Sequence, residues 1–169
     1  ITFECEYNTN SNVGTYDINI SGVEAQNYEI TFVSGVLSVN KADATITNTP
    51  NAINDLVYSG EEQNLITEGK AEGGMIVYSL DGNTFTENVP TATNAGEYTV
   101  YYNVVGDENH NGIEDTNAIV VTIKKSTLTI TAEDKAVTYG EEAPTYSATY
   151  SGWKAQDNED VLVGEITFE

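Results

Sequence analysis

An all-β chain is what this sequence predicts, and three observations carry the prediction. Valine, isoleucine, threonine and tyrosine are prominent, whereas the runs of alanine, leucine and lysine that favour helices are missing. Apolar and polar residues alternate at period two, as in Tyr16, Ile18 and Ile20, which is the pattern of a half-buried strand. A short motif also recurs: Asn94-Ala95-Gly96-Glu97-Tyr98 is echoed by Asn12-Val13-Gly14-Thr15-Tyr16, and each copy runs into an alternating stretch. In both, a glycine-bearing turn (Gly96, Gly14) feeds a tyrosine (Tyr98, Tyr16) two residues before an inward-facing apolar position. The sixth strand of an immunoglobulin-like sandwich begins in this way, with the ring on the core and the hydroxyl bonded back to the backbone.

Residues 1–41 supply three expected strands, centred on Tyr16 to Ile20, Tyr28 to Phe32 and Val36 to Val39. Three strands are only part of a sandwich. Residues 42–125 hold a complete set of about seven, the count of an immunoglobulin-like domain. Ala44-Thr45-Ile46-Thr47 opens it, Val57-Tyr58 leads to a turn at Ser59-Gly60, and Gln63-Asn64-Leu65-Ile66 follows. Met75 to Ser79 and Thr84-Phe85 flank Asp81-Gly82-Asn83, a hairpin signal, before Tyr98 to Val105 and Ala118 to Ile123 close the set. Residues 126–169 start over: Leu128-Thr129-Ile130-Thr131 opens, and Thr138-Tyr139-Gly140-Glu141-Glu142 echoes Tyr58-Ser59-Gly60-Glu61-Glu62.

The flanks are therefore complementary, one with an opening half and the other with a tyrosine-corner half. Ile166-Thr167-Phe168-Glu169 repeats Ile1-Thr2-Phe3-Glu4, which sets a period of 165 residues and is the mark of an array. Residues 126–165 and 1–41 make 81 residues together, against 84 in the centre; Glu169 apart, each set carries 13 acidic residues and 3 lysines. The expected organisation is tandem sandwiches. A complete central domain is flanked by the C-terminal half of one neighbour (1–41) and the N-terminal half of the next (126–169). Neither half can bury a core alone, so each is expected to pair with the complementary half of a neighbouring copy. Covalent continuity and strand exchange between separate chains are both open, with continuity favoured by the overlapping tetrapeptide.

Read in the order 128–165 and then 1–41, the flanks give Leu128-Thr129-Ile130-Thr131, Thr138-Tyr139-Gly140-Glu141, Gly14-Thr15-Tyr16, Asn27-Tyr28-Glu29-Ile30-Thr31-Phe32 and Gly35-Val36-Leu37-Ser38-Val39. This resembles the MBG bacterial immunoglobulin-like domain of YGX type. The central block resembles a sister immunoglobulin-like repeat of large Gram-positive surface proteins. It does so through Tyr78-Ser79-Leu80-Asp81-Gly82, Tyr98-Thr99-Val100-Tyr101-Tyr102 and Val105-Gly106-Asp107-Glu108-Asn109-His110-Asn111. The resemblance implies an exported, multidomain protein of the bacterial cell surface, wall-attached or secreted, and brings no catalytic residues with it.

Composition narrows the function classes. Six lysines, no arginine and 27 acidic residues give a formal net charge of -21, a surface that repels nucleic acid and anionic lipid. Like charge also discourages exposed sheet from pairing wrongly. No stretch of eighteen apolar residues exists, so no membrane insertion is expected in this segment. Cys5 stands alone, which excludes an intrachain disulfide.

Candidate sites are few. Asp107, Asn109, Asn111 and Asp115 place oxygen ligands at alternate positions with Gly112 nearby, so a calcium loop is one reading. The closing position is Ala118, which cannot supply a bidentate carboxylate, and a polar hairpin loop is the favoured alternative. His110 is the single histidine, so the usual nucleophile-base pairs and zinc sets cannot be assembled, and neither an enzyme nor a cofactor is expected. Trp153, Tyr101 and Tyr146 invite a carbohydrate-stacking reading, against which the alternation places one tyrosine of each adjacent pair in the core. The joints at Val39-Asn40-Lys41-Ala42-Asp43 and Ile123-Lys124-Lys125-Ser126-Thr127 lack the Gly, Ser or Pro runs of flexible linkers. The expectation is a structural spacer: a semi-rigid rod whose partners are neighbouring copies of the same repeat. Alternatives are an adhesin repeat that binds host glycan or protein, and a fibre subunit that polymerises by strand exchange.

Overall fold

The computed structural model describes residues 1–167, and of residues 115–117 the backbone alone. In chain order the strands are β1 (Thr2–Glu4), β2 (Gly14–Ser21) and β3 (Gly35–Val39) in the first flank. The central block holds β4 (Ala42–Asp43), β5 (Thr45–Asn48), β6 (Gln63–Asn64), β7 (Lys70–Glu72), β8 (Gly74–Ser79), β9 (Thr91–Ala92), β10 (Gly96–Gly106), β11 (His110–Asn111) and β12 (Ile113–Ile123). The last flank holds β13 (Thr129–Ala132), β14 (Ala148–Ser151) and a single 3-10 turn at Glu159–Val161. The fold is all-β.

The central block is built in two facing layers. One is the antiparallel sheet β12-β10-β8, extended by a parallel bridge from Val57 to Lys124 and an antiparallel one from Tyr78 to Thr86. The other is a strip of short pairs: β5 with β7, Ala52 with Ile66, and β6 with β9. Alternation along β10 sends Val100, Tyr102 and Val104 inward. With Val121 and Ile123 of β12 and Ile76 and Tyr78 of β8, they meet Ala44, Leu65 and Ile66 from the opposite layer. The Tyr78 hydroxyl accepts a bond from the buried Gly69 amide at 2.8 Å, so its polar tip crosses the core without being left unpaired. Between Tyr78 and Thr86 the chain turns on Asp81. Its Oδ1 accepts from the Asn83 and Thr84 amides and from Ser79 Oγ, holding the carboxyl well below the usual carboxylate range.

The first flank is a three-stranded antiparallel sheet in the order β1-β2-β3. Two features differ from the alternation pattern. Tyr28 to Phe32 form no strand, and Tyr28, Ile30 and Phe32 stay exposed. Instead β1, which period-two reading passes over, pairs along β2 with Phe3 opposite Ile20. The last flank is a two-stranded hairpin, β13 with β14, where β14 likewise carries too short an alternating run to announce itself. Among the described residues, every buried hydrophobic residue lies between Ala44 and Ile123. The second copy of the terminal tetrapeptide reaches Phe168 and Glu169, which fall outside the described residues.

Ile123 is 1% exposed in the core between the facing layers. Replacing Ile123→Ala is expected to lower the stability of the central block by about 2–5 kcal/mol, read from the urea midpoint. A shift below the noise of that measurement would mean that this core does not hold the block together.

Candidate functional site

The sequence points to no catalytic centre, and the geometry draws attention to the two ends of β10, where the flanks meet the central block. At one end, the loop after β10 folds back so that β11 pairs in parallel with β4, His110 beside Ala42 and Asn111 beside Asp43. The Ala42 and Ala44 amides donate to the Asn109 and Asn111 carbonyls, each at 3.0 Å. Lys41 Nζ donates to the carbonyls of Asp107 and His110 at 2.9 and 3.3 Å. Asn109 reaches furthest: its Oδ1 accepts from the Val13 amide at 2.8 Å and its Nδ2 donates to Asn12 Oδ1 at 3.0 Å. One carboxamide therefore grips the first flank within its tyrosine corner.

Three of the four residues considered as calcium ligands sit in this clasp. Asp107 Oδ1 accepts from the Asn109 amide at 2.8 Å and from His110 Nδ1 at 2.7 Å. The His110 bond, with the Asn109 amide behind it, lowers the Asp107 pKa. Asn109 faces Asn12 and Val13, and Asn111 Nδ2 donates to Asp43 at 3.0 Å. The side chain of Asp115 lies outside the described residues. The three oxygen-bearing groups thus aim at separate partners. Gly73 makes the close fit at this end workable, with φ +77 and a position where a Cβ would lie 2.5 Å from the His110 ring.

The opposite end of β10 carries a second joint. Tyr58 donates its hydroxyl to Asp157 Oδ2 at 2.8 Å, linking the central block to the last flank. The same residue is pinned by backbone: the Tyr58 amide donates to Lys124 O at 2.8 Å, and the Lys124 amide to Leu56 O at 2.9 Å. Gly60 lies against the turn of Lys154 and Ala155, where a Cβ would come within 2.5 Å of the Ala155 Cβ. The Asp157 carboxylate, followed by burial, raises the Tyr58 pKa because the bond is made by the neutral phenol.

The four structural residues of the tyrosine corners behave alike in both copies. Tyr98 donates to Asn94 O at 2.8 Å and Tyr16 to Asn12 O at 2.6 Å. Gly96 pairs with Ile123 and Gly14 with Val39 at equivalent ends of their sheets. Trp153 stacks at a tilt on Tyr150 with ring centres 5.7 Å apart, and Cys5 is a free, exposed thiol.

Residues 1–38 and 128–169 match the profile of the MBG domain, YGX type. Both flanks are thus similar to that domain. Together they account for 80 of the 169 residues, and the central block lies between the two matched MBG segments. MBG domains occur in extracellular proteins as repeat units, and among the described residues no helix is long and apolar enough to cross a membrane. No curated protein and no solved structure gives a significant match to the chain.

Each joint makes its own prediction. Asn109→Ala is expected to speed hydrogen exchange at the Val13 amide at least about tenfold while leaving the β10 amides unchanged. Equal exchange at Val13 before and after the change would show that the carboxamide carries no load. For Tyr58, a raised folded pKa means that stabilisation is complete below the ordinary tyrosine value of about 10 and is lost as pH rises through the folded value. Contact between the last flank and the central block, followed by exchange at residues 154–157, is expected to loosen above pH of about 10. Tyr58→Phe should show the loosened state at every pH, so a pH response that survives the substitution would count against the bond.

Proposed function

We propose that this chain is a structural repeat of a bacterial extracellular fibre or giant surface protein, in which immunoglobulin-like domains stack into a semi-rigid rod. The observation that carries the reading is the way both joints are built. Only Asn40 and Lys41 separate β3 from β4, and both joints are closed by direct hydrogen bonds from central-block side chains, those of Asn109 and Tyr58. A flexible tether would leave these groups to water. A joint that pairs strands and grips backbone transmits orientation from one domain to the next.

The remaining features fit a mechanical role. The formal charge of -21 spaces neighbouring rods and keeps the exposed sheet edges from pairing laterally. Immunoglobulin-like domains carry axial load through their terminal strands, and in the central block these are tied in parallel, β4 to β11 at the start and Lys124, just after β12, to Val57 at the end. In this reading the chain performs no catalysis and holds no cofactor, and its loops act as joints. The similarity of the flanks to the MBG domain, which occurs in extracellular proteins, supports a site on the cell surface.

Electron microscopy of the exported protein is the test. Thin filaments with regular beading are expected, with a bead spacing on the order of 30–40 Å set by strands rising about 3.3 Å per residue plus their turns. Compact globules would sink the proposal.

A further inference from the structure

Each flank presents a bare apolar face, and the central block shows what belongs on it. Pairing registers make the comparison residue by residue. In the first flank Gly14 faces Val39, Tyr16 faces Leu37 and Ile18 faces Gly35. In the central block Gly96 faces Ile123, Tyr98 faces Val121 and Val100 faces Ile119. On the other side of the same strand, Phe3 faces Ile20 as Tyr78 faces Tyr102. The sheet β1-β2-β3 is thus the counterpart of β8-β10-β12. Coverage is what differs: Tyr78 is 2% exposed and Phe3 is 66% exposed.

The last flank is the counterpart of the covering layer. Thr129 faces Ser151 and Ile130 faces Tyr150, as Thr45 faces Glu72 and Ile46 faces Ala71. Both strand pairs are followed by a glycine at positive φ, Gly152 at +105 and Gly73 at +77. In the central block Ile46 and Ala71 pack on the shared core, whereas Ile130 is 46% exposed. The MBG match falls on these two pieces and leaves out the block between them.

We infer that the apolar face of β1-β2-β3 is the docking surface for the β13-β14 hairpin of a second copy of this chain. A complete two-layer domain forms across the contact. Phe3, Ile18, Ile20 and Leu37 take the roles of Tyr78, Val100, Tyr102 and Val121, and Ile130 with Tyr150 covers them. The two halves of one chain are anchored at opposite ends of β10, whose 11 residues at a rise of about 3.3 Å span roughly 33 Å. The contact is head to tail, since the surface offered at one end differs from the one offered at the other. This deepens the array proposed above and rests on it. Its test reads association and exchange of the chain itself rather than the appearance of filaments, so either can fail alone.

Two measurements decide the matter. The chain in its natural order is expected to associate as concentration rises in sedimentation experiments, and Ile18→Asp is expected to weaken that association at least about tenfold by placing a charge on the covered face. A chain rearranged to run 126–165 and then 1–125, which keeps one copy of the terminal tetrapeptide, is expected to stay monomeric. Its β2 and β13 amides should exchange about 100-fold more slowly than in the dilute natural-order chain. A natural-order chain that stays monomeric throughout, association that Ile18→Asp leaves untouched, or no gain of protection on rearrangement would each overturn the inference. So would slow β2 exchange already present in the dilute monomer, which would mean that the flanks close on each other within one chain.

Discussion

A β-sheet whose alternate residues are apolar has one face that water disfavours, and the whole organisation of this chain follows from whether that face is covered. In the central block it is. Val100, Tyr102, Val121 and Ile123 meet Leu65 and Ile66 across the layers, and the turns and short strands are arranged around that contact. In the flanks the strands, registers and tyrosine corner are formed, but the second layer is missing. Tyr16, Ile18 and Ile20 alternate as regularly as their central counterparts and remain only half buried.

Local structure survives without the core because it is set by short-range bonds. Tyr16 still closes on Asn12, and Gly14 still pairs with Val39. The segment from Tyr28 to Phe32 shows the limit of this. Its alternation is strand-like, yet alternation gives a strand no partner, and Tyr28 is left 80% exposed. Pairing went instead to β1, whose three residues find Asn19, Ile20 and Ser21.

The sequence made the all-β class, the central strands and the two tyrosine corners legible, because period two and turn chemistry are local signals. The joints were harder to read. Asp107, Asn109 and Asn111 announce themselves as spaced oxygen groups, a pattern that suits an ion or a set of separate hydrogen-bond partners equally well. What separates the two is direction in space, and Asn109 points at Val13 across 96 positions of sequence. The parallel pairing of β11 with β4, and of Val57 with Lys124, likewise has no sequence signature, since it depends on segments brought together by the layers. The absence of a glycine- or serine-rich linker at Asn40 and Lys41 was the one legible hint of the direct contacts made there.

The unlike ends of β10 have a consequence for size. A surface that matches itself closes into a pair and stops; one end that fits only the opposite end of its own kind never uses up its valence. In the proposed array, the loop holding Asn109 and the turn holding Tyr58 give the assembly a direction but no final length, which is left to whatever sits at the two extremities.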